Sequence, residues 1–257
     1  MTELSARQVT VRAGGATLVD DVSLTLRPGE LVAILGPNGA GKTSLLKVLV
    51  GLAGVTSGSV LLDGEDCYTL PAAQRARRIS YLPQNRLLAW PNKVRDVVAL
   101  GRFAHGAALG RLGSVDAEAV QDAMASCELE HLADRGADTL SGGELARMHF
   151  ARAIAARTPL LVADEPVAAL DPLHQLRIAQ LIRQFVVAGG GALVVLHDVS
   201  LAVRFADRLV WMNTGRVVAQ GTPAQTLNAN TMADVYGVRA RIERDELGFN
   251  VRIEGSL

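Results

Sequence analysis

The sequence predicts an α/β fold: a mostly parallel sheet flanked by helices, with an N-terminal antiparallel β-subdomain and an inserted helical subdomain. Three observations carry that expectation. Short β-branched runs alternate with longer helical ones along most of the 257 residues, which implies crossover connections and helices on both faces of a sheet. The apolar runs LVAIL (31–35) and LLVAD (160–164) do not alternate with polar residues, as befits strands buried on both faces. Residues 92–138, finally, show helical periodicity and little strand character.

Taken in order, residues 4–30 and 58–64 read as short antiparallel strands joined by turns such as Arg27-Pro28-Gly29 and Asp63-Gly64. Strands are expected at 8–11, 30–35, 59–62, 79–82, 160–164, 192–197 and 208–212, and helices at 43–50, 142–156, 173–188 and 200–206. Within 92–138, Val94, Val97, Val98 and Gly101 share one helical spacing and Val120, Met124 and Cys127 another; the Gly/Ala-rich piece 105–114 connects them. After Asn213 come a Thr214-Gly215 turn, small strands and a short helix at 223–228. One domain results, with a core of 1–91 and 139–222, a helical subdomain at 92–138 and a C-terminal extension at 223–257.

Composition narrows the class of partner. Hydrophobic residues make up 49% and charged residues 20%, enough to build a packed core. Basic and acidic side chains balance at 26 each, so no global field collects nucleic acid. The mean hydropathy of +0.22 raises the question of a membrane span. The longest nearly apolar run, 185–196, is too short for one and carries Gly189, Gly190 and Gly191. Glu3, Arg7 and Arg12 interrupt any signal-peptide core. Cys67 and Cys127 form neither a disulfide framework nor a zinc motif. A cytoplasmic, globular, non-spanning chain is expected.

Chemistry enters with Gly36-Pro37-Asn38-Gly39-Ala40-Gly41-Lys42-Thr43, between the strand LVAIL and a helix that continues with Ser44. Glycines in this pattern let backbone N–H groups turn inward around phosphate oxygens, at the positive end of the helix. Lys42 is placed for the β- and γ-phosphates and the Thr43 hydroxyl for Mg²⁺. Far downstream, the strand LLVAD ends in Asp164 and Glu165. Alone, that pair reads equally well as a strand running into an acidic helix cap. Beside a phosphate loop, Asp164 suits Mg²⁺ and Glu165 suits polarisation of an attacking water. Leu140-Ser141-Gly142-Gly143-Glu144 precedes a long helix, and by itself is an ordinary N-cap.

In this order the elements resemble the ATP-binding cassette ATPases, over residues 4–222. Under that resemblance Ser141, Gly142 and Gly143 form the signature turn, Gln84 is the Q-loop glutamine, Ala169-Leu170-Asp171 the D-loop and His197 the switch histidine. The resemblance implies a P-loop nucleoside-triphosphatase fold that binds ATP and Mg²⁺. Glu165, His197 and Gln84 would be catalytic, and Thr43, Gln84 and Asp164 would hold the metal. Residues 36–44 bind nucleotide, together with Ser141, Gly142, Gly143 and Asp171. It also implies a homodimer across two ATP, each copy's signature turn closing on the other's nucleotide. This chain departs from the family at three points. The signature ends in Glu144 rather than glutamine, Ala168 replaces the D-loop's leading serine, and Ala13 stands where an aromatic usually stacks on adenine.

Cargo is less legible. The stretch from Asn85 to Arg102, and the wording ADEPVAALDPLHQL, are similar to importers of ferric siderophores, haem and cobalamin. In such proteins this surface receives a membrane permease, and an external binding protein delivers cargo to it. Leu88 and Trp90 suit that docking, with helical-subdomain core as the competing reading. The expected location is the cytoplasmic face of the inner membrane, through protein contacts only, with no nucleic-acid partner. No Asn-Lys-x-Asp guanine motif exists, since Val94 and Arg95 follow Asn92-Lys93; coiled-coil or zinc insertions and a second cassette are also missing.

Overall fold

The computed structural model describes residues 2–84, 92–107, 110–245 and 248–257. The chain begins with β1 (Leu4–Ala13) and β2 (Ala16–Leu26), an antiparallel pair turning at Gly14-Gly15. After β3 (Leu31–Leu35) and α1 (Lys42–Leu49), it returns through β4 (Ser57–Leu62) and β5 (Glu65–Asp66) to complete a four-stranded sheet of order β2-β1-β4-β5. These strands are longer than the short ones expected, and the reason is local. Gln8 and Asp21 adopt positive φ of 50° and 53°, and the β1/β2 register shifts between Ala6 and Val9. Such irregularities interrupt the period-2 alternation from which strand length is read. The Arg27-Pro28-Gly29 turn does not return the chain to this sheet either; it delivers it to β3, in the second one.

That second sheet is six-stranded, of order β10-β9-β3-β8-β7-β6. A short α2 (Ala72–Ala76) precedes β6 (Ile79–Leu82). Between β6 and β7 (Leu160–Asp164) lie α3 (Val94–Ala99), α4 (Ser114–Ser126) and α5 (Gly142–Ala155). Then follow α6 (Pro172–Val187), β8 (Gly191–Val195), α7 (Val199–Phe205), β9 (Arg208–Asn213) and β10 (Arg216–Gly221). All neighbours in this sheet pair in parallel except β10 with β9. Two cores explain the missing alternation. Leu31, Ala33 and Leu35 face one together with Leu161, Ala163, Ala192 and Val194, under α3 to α7. Val32 and Ile34 face the other with Leu160, Val162, Leu193 and Val195, against α1 and the N-terminal sheet. Each core encloses one thiol: Cys127 in the first, Cys67 in the second.

The helix α5 is buried along most of its circumference, between α3 and α4 on one side and α6 and β6 on the other. Its C-terminus is held by the Gly101-Arg102-Phe103-Ala104-His105 stretch. A Cβ on Gly101 would stand 2.2 Å from the Arg152 carbonyl oxygen, so only glycine permits this crossing. Arg102 donates to the carbonyls of Ala155 (3.1 Å) and Ala156 (3.2 Å) and pairs with Asp116 at 2.8 Å, while His105 Nε2 lies 3.0 Å from Ala156 O. The Arg102 guanidinium there satisfies the last carbonyls and complements the helix dipole. Arg102 is 4% exposed, while the Asp116 side chain is 19% exposed. Arg102→Ala is therefore expected to lower the unfolding free energy by about 1.5–3 kcal/mol, the range for a charged hydrogen bond, as read from chemical denaturation.

The C-terminal region holds a helix that sequence reading does not resolve. In place of one helix at 223–228 there are α8 (Pro223–Thr226) and α9 (Ala229–Tyr236). Leu227 closes the first and Asn228 caps the second, accepting from the Thr231 N–H at 2.9 Å. Tyr236 meets Trp211 edge-on at 6.4 Å between centroids. A hairpin of β11 (Val238–Asp245) and β12 (Gly248–Ser256) completes the chain and packs on α7 and α9. Among the described residues no helix is long and apolar enough to cross a membrane.

Candidate functional site

The loop from Gly36 to Gly41 connects β3 to α1, and three of its glycines adopt φ of 153°, 82° and 92° (Gly36, Gly39 and Gly41). Two are also forced by contact. A Cβ on Gly36 would stand 2.1 Å from Met212 O, and one on Gly41 2.1 Å from Leu18 O. The loop is thus wedged between β9 and β2. Lys42 is 5% exposed, and its Nζ donates to the carbonyls of Gly36 at 2.7 Å and Pro37 at 2.9 Å. Burial lowers its pKa, against the opposing pull of Glu165 and Asp164. The ammonium is already curled into the loop where a triphosphate would sit.

Across the pocket, Asp164 ends β7 and is 1% exposed. Burial raises its pKa, opposed by hydrogen bonding from Thr43 and reinforced by the Glu165 charge. Glu165 follows with φ of 48°, a left-handed conformation that costs free energy unless its surroundings hold it. Two partners do so. Gln84 Nε2 donates to Oε2 at 2.5 Å, and His197 Nε2 lies 2.6 Å from Oε1. His197 is not on β8, which ends at Val195; it sits in the loop before Asp198, whose side chain caps α7 by accepting from Leu201 N–H at 3.0 Å. The cap starts α7 directly after the loop that carries His197.

One pocket of about 450 Å³ is lined by Leu18, residues 38–44, Gln84, Glu165 and His197. Asp164 lies behind Thr43. Leu18 is the lining residue that sequence reading did not single out; its only signal is a leucine in the strand against which Gly41 packs. Neither Arg12 nor Ala13 lines this pocket; Ala13 pairs with Ala16 at the tip of the β1/β2 hairpin.

Ser141, Gly142, Gly143 and Asp171 stand outside it. Ser141 caps α5: its Oγ accepts from Glu144 N–H at 3.3 Å, and its own N–H donates to Glu144 Oε2 at 2.8 Å. The backbone hydrogen bond from Ser141 is the main reason that the Glu144 carboxyl titrates below its ordinary range. Glutamate and glutamine both close this box, so Glu144 keeps the geometry that glutamine would give. Asp171 caps α6, accepting from His174 N–H at 3.0 Å, with His174 Nδ1 2.7 Å from its other oxygen. Leu88 and Trp90 fall outside the described residues.

Comparison with known proteins shows the family of the chain. A family model described as ABC transporter matches residues 19–168. The hemin import ATP-binding protein HmuV of Pseudomonas aeruginosa is 39% identical over 246 residues, covering 94% of this chain and 95% of that protein. Among solved structures, an inward-facing metal-chelate type ABC transporter superposes with a TM-score of 0.84 at 23% identity, covering 100% of this chain and 98% of that one. A dimeric ATP-binding cassette bound to ADP and phosphate gives 0.74 at 27% identity, covering 85% and 98%.

Proposed function

The chain belongs to the ABC transporter family, and from that premise we propose that it is the ATPase of an importer for haem or a similar iron chelate. It works as a homodimer beneath a separate permease, on the cytoplasmic face of the membrane. The observation that carries the division of labour is the split of the site. The phosphate loop, Gln84, Glu165 and His197 line one pocket, while Ser141, Gly142 and Gly143 present a capped helix N-terminus outside it. An N-terminus of this kind binds phosphate, and a second copy supplies the phosphate it would meet. The haem assignment draws on relatives such as the hemin import protein.

In this mechanism the loop amides and Lys42 hold the triphosphate and offset its charge. Glu165 takes a proton from the water that attacks the γ-phosphorus. Gln84 and His197 each engage one carboxylate oxygen, and each oxygen keeps a second lone pair with which to accept from the water. His197 and Gln84 thereby orient the carboxylate and report on the γ-phosphate. The residues present fit Mg²⁺. The buried Asp164 Oδ1 has no hydrogen-bond partner, and Thr43 and Gln84 add hard oxygens. Mg²⁺ takes few protein ligands and draws the rest from phosphate and water. Thr43, Gln84 and Asp164 would hold it, and its charge would offset that developing on the phosphates.

We keep the functional division into core (1–91 and 139–222), helical part (92–138) and extension (223–257), with α5 tying the first two together. Permease docking is assigned near 85–91. Support comes from a groove of about 300 Å³ along β6, the strand leading into that segment, lined by Tyr81, Leu100, Phe103 and Arg152. Phe103 is 77% exposed there, as a docking anchor would be.

Deleting the gene tests the cargo. Growth on haem as sole iron source should fail, and the parent chain but not Glu165→Gln should restore it. Unimpaired growth on haem, with a defect on a ferric siderophore or cobalamin instead, would move the cargo assignment. The pocket carries a second expectation, about the base. Stacking on an aromatic side chain is worth roughly 1–3 kcal/mol, and among the described residues no Phe, Tyr or Trp lines the pocket. ATP and GTP should bind within about tenfold of each other, roughly 1.4 kcal/mol, in a competition titration. A preference for ATP of several hundredfold would show that another group reads the base.

A further inference from the structure

Between the N-termini of α5 and α6 stands one side chain for which the mechanism above has no use. The His174 ring fills the space beside Gly143: a Cβ there would lie 1.8 Å from its Cδ2 and 2.2 Å from its Nε2. Its Nδ1 is 2.7 Å from one oxygen of Asp171, and its N–H donates to the other at 3.0 Å. Leu170 Cδ2 is 3.9 Å from where a Cβ on Gly142 would be. The loop running from Glu165 to Asp171 holds two non-glycine residues at positive φ, Glu165 at 48° and Ala169 at 60°. Such a conformation persists only when neighbours over-determine it, and His174 anchors the far end of this one against α5.

We propose that His174 is a positioning residue that couples the Ser141-Gly142-Gly143 turn to the Glu165 loop. The turn serves the nucleotide of the second copy, whereas Glu165 serves the chain's own. A shift of the α5 N-terminus as the partner's triphosphate seats is passed through the imidazole to Asp171. It is then felt at Glu165, six residues back in the same loop. Packed contacts of this kind move as units rather than deform. Gly143 is a glycine on this account because the ring stands where its side chain would be. The inference rests on the ATPase reading of the site.

The experiment uses the full chain. His174→Ala should lower kcat for ATP at least tenfold, with nucleotide affinity within about twofold of the parent. His174→Asn, whose amide can still donate to Asp171, should recover part of kcat. Gly143→Ala should lower the melting temperature in the parent, and much less in the His174→Ala background where the obstructing ring is gone. Parental kcat in His174→Ala, an asparagine variant no better than alanine, or equal melting shifts in both backgrounds would each overturn the coupling. If the alanine variant does not fold, the same cycle is run on His174→Asn, whose smaller side chain also relieves the contact. A parent chain without ATPase activity would instead sink the functional reading.

Discussion

Glu165→Gln is expected to bind ATP as the parent does and to turn it over about 10²–10⁴-fold more slowly, the usual contribution of a positioned general base. The substitution is isosteric, so the contacts at 2.5 Å from Gln84 and 2.6 Å from His197 keep an oxygen or an amide to meet. What is lost is the ability to accept a proton from water. With binding intact and chemistry stopped, two chains should accumulate with ATP between them. Phosphate release gives the rate, and size-exclusion chromatography with ATP gives the dimer. Near-parental turnover would remove Glu165 from the role assigned to it. Lys42→Ala is the contrasting case: its ammonium is 5% exposed inside the loop, and its loss should weaken nucleotide binding itself, by about 1.5–3 kcal/mol for a charged hydrogen-bond donor.

Ser141→Arg should cost nearly as much activity by a different route. In the proposed homodimer Ser141 and the amides behind it would face the partner's nucleotide, and loss of such a preorganised donor set costs about 10²–10³ in turnover. A guanidinium adds bulk where two chains must close. Loss of the cap also removes about 0.5–2 kcal/mol from α5, so a melting curve has to accompany the assay. Ser141→Asn retains a capping side chain and separates the two effects. The sharper readout is the combination with Glu165→Gln: the double variant should bind ATP but remain monomeric. Dimers formed with ATP despite the Ser141→Arg substitution would show that closure does not use this turn.

Legibility in the sequence followed burial. Leu160–Asp164 and Ile79–Leu82 have the bounds expected of them, the first because its apolar run is covered on both faces. The N-terminal sheet was harder, since bulges at Gln8 and Asp21 break its alternation. The helix α9 escaped notice because its sequence, ANTMADVY, mixes polar residues with only three buried positions, Thr231, Met232 and Val235. In the site, residues with a motif spacing are visible: residues 38–44, Gln84, Glu165 and His197 meet in one pocket. Residues that act by shape are not. Leu18 has no motif, and His174 shows only as the third residue after a capping aspartate. Gly101 and Arg102, at the end of the stretch that is similar to importers, also anchor the end of α5.

The enclosure of one thiol in each core gives the molecule its own pair of conformational reporters. Cys67 and Cys127 are both 0% exposed, and burial pushes the Cys127 thiol up to about 12 and raises that of Cys67 as well. Neither can react with an alkylating reagent until its surroundings open, since the thiolate is the nucleophile. Their labelling rates therefore measure local unfolding on each side of the central sheet. Peptide mass spectrometry distinguishes the two sites without any engineered cysteine. Nucleotide bound at the loop 36–43 should slow labelling of Cys67, which shares its core with α1, more than that of Cys127 at the end of α4. A chain whose halves open independently would release the two signals at different rates, and one that opens as a unit would release them together.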